Sequence, residues 1–444
     1  MAASRVLLTD LYELTMLQAY FDEGLRDVAA FNLFVRRLPE RRNYLVACGL
    51  DEVLGLLETL TFDEEALAYL GTLGQFSDRF LGQLATFRFT GDVYAVAEGT
   101  PVFSNEPILE IVAPLPEAQF VESLVMNQIH LQTLLASKAV RVVAAARGRQ
   151  IVDFGLRRAH GLDAGLKAAR AFHVAGVHAT SNVAAGQAYG LRVSGTMAHS
   201  YVQAHDSEYE AFRRFAERYP GTTLVVDTYD AVAGVRQVIA LAARMGAAFN
   251  VAAIRLDSGD LGQLAVEARR LLDAAGLFRV GIFASGNLNE DEIDRLLSAG
   301  APIDGFGVGT DMAVSRDAPS LDIAYKLVEY GGRGRVKLSP DKRVLPGRKQ
   351  IFRIEKGGQV ERDLLGAHDD VLPGRPLLCK VMAGGARLPE SRKTLDEIRT
   401  HAMNEVQKLP ARLRSLVPAD PPYRVDLSEA LARHREALGL PHER

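Results

Sequence analysis

Between residues 151 and 310 one pattern recurs seven times: a short apolar run, a polar residue or glycine at its end, then a helix-like segment. The runs end at Asp153-Phe154-Gly155, Thr180-Ser181-Asn182, His199-Ser200, Asp227-Thr228, Arg255-Leu256-Asp257-Ser258-Gly259-Asp260, Ser285-Gly286-Asn287 and Gly307-Val308-Gly309-Thr310. Successive parallel strands need a crossover between them, and helical crossovers that cover the sheet close most economically into an α/β barrel. Such barrels gather their chemistry at the carboxyl ends of the strands. Here those ends are dense in His, Arg, Asp, Ser, Asn and Gly, as expected of an enzyme that handles anions.

The flanking sequence has a different character. Residues 9–20 read as a helix with Leu11, Leu14, Thr15 and Gln18 on one side, and residues 29–36 as a strand. Between residues 91 and 114, Gly99, Pro101, Pro107 and Pro114 break the chain into short antiparallel strands. A long helical stretch, residues 117–147, leads into the repeating segment. Within it, Leu261, Leu264, Ala265, Ala268, Leu271 and Leu272 share a helix face, and Asn289 with Glu292 resembles a capping box. Residues 325–354 return to short strands that are expected to rejoin the N-terminal β region. A charged helix, 390–409, stops at Pro410, and the tail beyond it reads as peripheral. The expected organisation is an N-terminal α+β region with lead-in helix over 1–150 and an α/β barrel carrying the active site over 151–320. Residues 321–444 return to the smaller domain and add a helical tail.

At 444 residues the chain exceeds one ordinary domain, and 48% hydrophobic content supports large cores. No run of about 18 apolar residues marks a membrane span, and the first residues lack a signal-peptide core. Two cysteines, Cys48 and Cys379, offer neither a disulfide framework nor metal-ligand spacing, which fits a reducing cytoplasm. A net charge of −3 argues against nucleic-acid or anionic-membrane partners. Basic pairs at Arg36-Arg37, Arg41-Arg42, Arg157-Arg158, Lys342-Arg343 and Arg348-Lys349 are solvated surface unless they lie beside a strand end or glycine turn.

Four constellations carry chemistry. In Gly305-Phe306-Gly307-Val308-Gly309-Thr310 the glycines let backbone N–H groups approach an anion and Thr310 adds a hydroxyl donor; simple turn flexibility is the alternative. Ser285-Gly286-Asn287 would wall the same phosphate pocket. Around Gly259, Arg255 offers a fork for carboxylate or phosphate, while Asp257 and Asp260 suit ribose hydroxyls or a magnesium ion; an internal ion-pair network is the competing reading. Val225-Val226-Asp227-Thr228-Tyr229-Asp230 superficially suggests the sugar-diphosphate loop of a different phosphoribosyltransferase class, but it lacks adjacent acids and the Gly/Thr cradle. His199, in Gly195-Thr196-Met197-Ala198-His199-Ser200, has neither a metal-site nor a hydrolase context, which leaves a base or a phosphoryl-accepting nucleophile. His173 and His178 read as structural.

Together these residues closely resemble the nicotinate phosphoribosyltransferases over nearly the whole chain. The resemblance runs through Thr9-Asp10-Leu11-Tyr12-Glu13-Leu14-Thr15-Met16, Phe154-Gly155-Leu156-Arg157-Arg158-Ala159, the His199 segment, Val226-Asp227-Thr228-Tyr229-Asp230, the Arg255 and Gly307 segments and Pro346-Gly347-Arg348-Lys349-Gln350. It implies an irregular (β/α) barrel of the type II phosphoribosyltransferase kind with a smaller α+β domain. The implied reaction joins nicotinate to 5-phosphoribosyl 1-pyrophosphate with ATP hydrolysis coupled. The implied roles are His199 as phosphohistidine, Tyr12, Thr196 and Arg255 for nicotinate, and Thr310 for the sugar diphosphate. With Mg2+, Arg157 and the Asp257/Asp260 pair are expected to stabilise the departing pyrophosphate. The family is dimeric with shared active sites, and Tyr12, far from the barrel in sequence, is expected from the partner.

Three other readings stand beside this one. A nicotinamide phosphoribosyltransferase usually carries Pro where this chain has Leu256, and its neutral substrate gains less from a carboxylate-binding Arg. Quinolinate phosphoribosyltransferases are shorter and lack the phosphorylated histidine. A non-catalytic barrel binding protein would have broken strand ends, and none is broken here.

Overall fold

The structure is a computed structural model that describes residues 4–337 and 344–437, so the Lys342-Arg343 pair lies outside the described residues. The chain divides into two compact units, Met1–Ser137 with Ser320–Arg444, and Lys138–Pro319.

The first unit is built on a seven-stranded sheet in the order Arg333–Gly334, Ile323–Tyr330, Val28–Val35, Pro107–Pro114, Asp92–Ala95, Cys379–Ala383 and Ala386–Arg387. The segment after the parallel-strand region does rejoin the N-terminal strands: Leu33 lies opposite Tyr325 on one side and Leu109 on the other. Every residue from Ala29 to Val35 is buried, as an apolar run covered on both faces requires. Tyr325 stacks on Phe31 with ring centroids 4.8 Å apart, and its hydroxyl donates to the Ala118 carbonyl at 2.6 Å. The first long helix spans Leu11–Glu23 and buries Glu13, Leu14 and Leu17, whereas Leu11 is exposed, so its inward face is rotated from the expected one. The expected lead-in helix is two helices, Leu115–Phe120 and Glu122–Ala145.

The tail is not peripheral. Its strand Val425–Leu427 joins Gln359–Ala367 in a four-stranded sheet. Tyr423 stacks on Phe103 at 3.5 Å and donates to Asp363, which forms a fully buried ion pair with Arg353. Leu413 and Leu431 are buried as well. Sequence alone shows these as scattered apolar residues among prolines and charges, and their partners are sequence-distant.

The second unit is a six-stranded, wholly parallel, curled sheet: β1 (Gln150–Asp153), β2 (Ala179–Thr180), β3 (Thr222–Val225), β4 (Val251–Leu256), β5 (Gly281–Ser285) and β6 (Gly305–Val308). Its order is β2-β1-β6-β5-β4-β3, so the first and last strands of the segment, β1 and β6, are neighbours and the sheet is open between β2 and β3. Six of the seven runs form strands. The run expected to end at His199 does not, and it falls at the opening: Val193 makes only an isolated parallel bridge to Thr180, and His199 begins a short helix, His199–Gln203. Arg192 and Val193 are exposed and Gly195 follows, so the segment lacks the buried apolar run that a central strand needs.

Helices follow the strands as the pattern predicts. Leu261–Ala274 buries Leu261, Ala265, Ala268 and Leu272. In Glu290–Ser298, Asn289 accepts from the Glu292 N–H, while the Glu292 carboxylate pairs with Arg295, so half of the expected box forms. One described stretch, Ala231–Ala248, reaches bilayer-crossing length and hydropathy. It carries Arg236 and Arg244, and its helix buries Val235, Val238 and Leu241.

Candidate active site

The carboxyl ends of β3, β4 and β5 bring one hydrogen-bonded set together in the parallel-sheet unit. β4 alternates, so Ile254 and Leu256 are buried in the sheet while the half-buried Arg255 is carried between them. Arg255 Nη1 donates to the Thr196 hydroxyl, and Arg255 Nε lies 3.9 Å from an Asp257 oxygen. That Nε is buried and has no hydrogen-bond partner. Burial lowers the Arg255 pKa, Asp257 and Asp227 oppose this, and the charge of Arg157 adds to the lowering. Arg255 remains cationic and is only partly compensated by protein.

Asp257 accepts from the Ser285 hydroxyl on one oxygen, and its other oxygen lies 3.6 Å from His199 Nε2. Burial acts to raise its pKa, but the Ser285 hydroxyl, Arg255 and His199 outweigh this and hold it below the ordinary value. The opposite ring nitrogen, His199 Nδ1, is 3.1 Å from the Thr228 hydroxyl. The imidazole is therefore oriented between a hydroxyl and a carboxylate and is partly open to solvent.

Beneath this set lies Asp227, whose Oδ2 accepts from the Asp257 N–H at 2.7 Å and the Ser258 hydroxyl at 2.9 Å. Its Oδ1 is buried without a partner. Asp227 and Thr228, named in the sequence as a strand end and as part of the family resemblance but given no role there, are the site residues that the fold adds. The signal was available: Leu224, Val225 and Val226 are fully buried, so the acid that follows stands at a strand end like the other candidates.

The glycine-rich ends of β5 and β6 form two adjacent turns. Gly286 has φ +91°, and a Cβ there would meet the Asp257 carbonyl at 1.9 Å, so this turn closes on β4 only with glycine. Asn287 follows at φ +50°. On β6 a Cβ at Gly307 would lie 2.3 Å from the Phe154 ring. Gly309 precedes the four-residue helix Thr310–Ala313, which leaves Thr310 exposed. At the end of β1, Asp153 is buried with its carboxylate bound to Thr180 and the Gly155 N–H, and burial raises its pKa. The exposed Arg157 follows in the turn Leu156–Arg158.

Two candidates are placed differently. Asp260 caps helix Leu261–Ala274, accepting from the Gly262 and Gln263 N–H groups, each at 3.1 Å. Among the described residues no group of three or more His, Cys, Asp or Glu side chains could enclose a metal ion. Tyr12 belongs to the first unit, on the exposed side of helix Leu11–Glu23. Its pKa is raised by burial and by the charges of Glu122 and Glu13, which keeps the phenol protonated.

Comparison with known proteins agrees along the chain. Protein-family models match for the nicotinate phosphoribosyltransferase N-terminal domain at residues 7–130, the nicotinate phosphoribosyltransferase (NAPRTase) family at 149–345 and its C-terminal domain at 372–435. The chain is 54% identical over 435 residues to "Nicotinate phosphoribosyltransferase pncB2" of Mycobacterium tuberculosis, covering 97% of this chain and 94% of that protein. It is 40% identical over 372 residues to "Nicotinate phosphoribosyltransferase" of Bacillus subtilis, covering 82% and 76%. The crystal structure of human nicotinic acid phosphoribosyltransferase superposes with a TM-score of 0.86 at 27% identity, covering 97% and 99% of the two chains.

Proposed function

The chain belongs to the nicotinate phosphoribosyltransferase family, and from that premise we infer that it condenses nicotinate with 5-phosphoribosyl 1-pyrophosphate to nicotinate mononucleotide and pyrophosphate, in NAD biosynthesis. The observation that carries this reading is Arg255: a buried guanidinium braced by Thr196 and Asp257, with a donor left unsatisfied by protein. A planar aromatic carboxylate suits that fork.

Displacement at the anomeric carbon builds positive charge on the ribose ring and negative charge on the leaving pyrophosphate. Catalysis therefore consists of positioning the pyridine nitrogen and receiving the leaving anion. Arg255 and Thr196 orient the base, and Arg157 neutralises the pyrophosphate. Ser285, Gly286 and Asn287 with Gly307, Gly309 and Thr310 hold the sugar diphosphate. Asp257 lies between the Ser285 hydroxyl and His199, where it links the phosphate turns to the histidine.

His199 is the proposed phosphoryl acceptor that couples ATP hydrolysis to synthesis. A phosphoryl group on the imidazole would add negative charge beside the Asp257 carboxylate, 3.6 Å from Nε2. The resulting repulsion acts on a segment that the sheet does not clamp, so phosphorylation reorders this loop and changes substrate affinity.

Magnesium fits as an ion carried by the diphosphate. It usually keeps waters and phosphate oxygens and takes only one or two protein carboxylates. The unpartnered Oδ1 of Asp227 is the donor best suited to it, whereas both backbone contacts of Asp260 belong to its helix. Bound there, the ion would supply charge neutralisation for the leaving group.

The open cyclic sheet is read as the irregular barrel of the type II phosphoribosyltransferases. The assembly is read as a homodimer in which the partner subunit's Tyr12 covers the base. A cytoplasmic setting accords with two free cysteines.

The test supplies purified protein with 5-phosphoribosyl 1-pyrophosphate, ATP and either nicotinate or nicotinamide. Nicotinate is expected to give mononucleotide; product from nicotinamide alone overturns the assignment, and product from neither base indicates a binding protein.

A further inference from the structure

Behind the two glycine turns the parallel-sheet unit gathers five charges, of which Lys138, Arg141 and Glu290 are buried and Asp311 and Asp317 reach in from nearer the surface. Lys138 is 1% exposed. Its Nζ donates to Glu290 Oε2 at 2.6 Å and to Asp317 Oδ1 at 2.9 Å, and lies 2.7 Å from Asp311 Oδ1. Arg141, one turn further along the same helix, donates through Nε to the other Glu290 oxygen at 2.9 Å. An ammonium has three N–H donors, and here each meets a carboxylate from a different stretch of chain. Burial acts to lower the Lys138 pKa, but Glu290, Asp311 and Asp317 outweigh it and raise the value. Burial acts to raise that of Glu290, and Lys138 with Arg141 outweighs it in turn. Lys138 and Glu290 each hold the other in its charged form.

The carboxylates have a telling distribution. Glu290 opens the helix that follows Ser285-Gly286-Asn287, and Asp311 is the residue directly after Thr310. Each turn at the ends of β5 and β6 is therefore anchored, a few residues downstream, to the same nitrogen atom. Asp317 binds that nitrogen too but lies beyond both turns. Exposed ion pairs rearrange freely and hold geometry poorly. Here the Lys138–Glu290 pair is fully buried, and the lysine has no spare donor with which to accept a different arrangement.

We propose that Lys138 is a positioning residue for the sugar-diphosphate site, setting the turns after β5 and β6 relative to each other through Glu290 and Asp311. The proposal rests on the reading of those turns as phosphate-binding. Lys138 touches no substrate; it acts through the two carboxylates.

Lys138→Met would take from three carboxylates the cation they share and endanger folding, so the test removes single carboxylates from the full-length enzyme. Asp311→Ala is expected to raise the KM for 5-phosphoribosyl 1-pyrophosphate about tenfold, with kcat and the KM for nicotinate within about twofold. Asp317→Ala takes a carboxylate from the same ammonium and is expected to leave all three within about twofold. Asp311→Asn keeps an acceptor for the lysine and is expected to restore most of the affinity. Equal rises in the two alanine variants, no rise in Asp311→Ala, or a full rise persisting in Asp311→Asn each overturn the proposal. Thr310→Val in the same assays separates the premises. A rise there without one in Asp311→Ala refutes the positioning role alone; no rise in either refutes the phosphate reading and the proposal together.

Discussion

A buried guanidinium nitrogen without a partner is costly unless a ligand completes it. Arg255 Nε is such an atom, and the anion proposed to complete it is the nicotinate carboxylate. Arg255→Ala is expected to raise the KM for nicotinate roughly 10- to 100-fold, the scale of one or two charge-assisted hydrogen bonds. An unchanged KM removes Arg255 from the base pocket. A second exceptional residue is Glu208, whose Oε1 is buried without a partner. Burial, then the charges of Asp227 and Asp230, raise its pKa from 4.5 to about 7. The folded chain thus holds a proton that the unfolded chain has already released. Its stabilising contribution is complete below about pH 4.5 and is lost as pH rises through about 7. Glu208→Gln is therefore expected to melt higher than the parent at about pH 8 and level with it at about pH 4. A difference in melting temperature that does not vary with pH contradicts this.

Among the elements, the missing strand matters most. The opening between β2 and β3 leaves the segment before His199 with a single bridge to the sheet, at Val193, and with Thr196 held by the Arg255 side chain. Few ladder bonds mean a low cost of local rearrangement, which a switch loop requires. His199→Ala should abolish the coupling of ATP hydrolysis to synthesis while a slower, ATP-independent synthesis persists. Undiminished coupled hydrolysis in that variant would show that another group is phosphorylated. Asp260 makes the opposite point, since an acid that looks like a ligand in sequence serves a helix end. Asp260→Ala is expected to cost about 1 kcal/mol of stability, the usual worth of an N-cap, measured by denaturant unfolding. Its magnesium dependence should match the parent; a shifted dependence would return Asp260 to the metal site.

At the scale of the whole molecule, the dimer reading gives the sharpest expectation. If the partner subunit's Tyr12 covers each base pocket, subunits carrying Tyr12→Ala and subunits carrying Arg255→Ala should complement each other. Mixed dimers would then hold one intact site and regain activity that neither variant has alone. Absence of recovery, with subunit exchange verified, places Tyr12 on its own subunit's site. The first unit also shows how the chain's ends are tied in. Arg353 and Asp363 face each other across one strand pair, and Tyr423, 60 residues beyond Asp363, closes on that buried ion pair.

What could be read without coordinates was whatever is local or periodic. Six of the seven runs are strands because a buried parallel strand writes itself as a continuous apolar run. The residues at their ends could be named for the same reason. Arg255 meets Thr196, a grouping that only the family resemblance implied, and His199 lies beside Asp257, a closeness that was not legible in the sequence. Tertiary structure alone decided the rest. It denied residues 191–198 a place in the sheet, because a strand exists only where a neighbour pairs with it. It made Asp227 the support beneath Asp257, gave Asp260 to a helix cap and drew the tail into a core. It also placed Lys138 behind both glycine turns, 152 residues from Glu290 in sequence. A lone lysine in a helical stretch carries no sign of three acids gathered around it, because contacts of that range leave no periodicity in the chain.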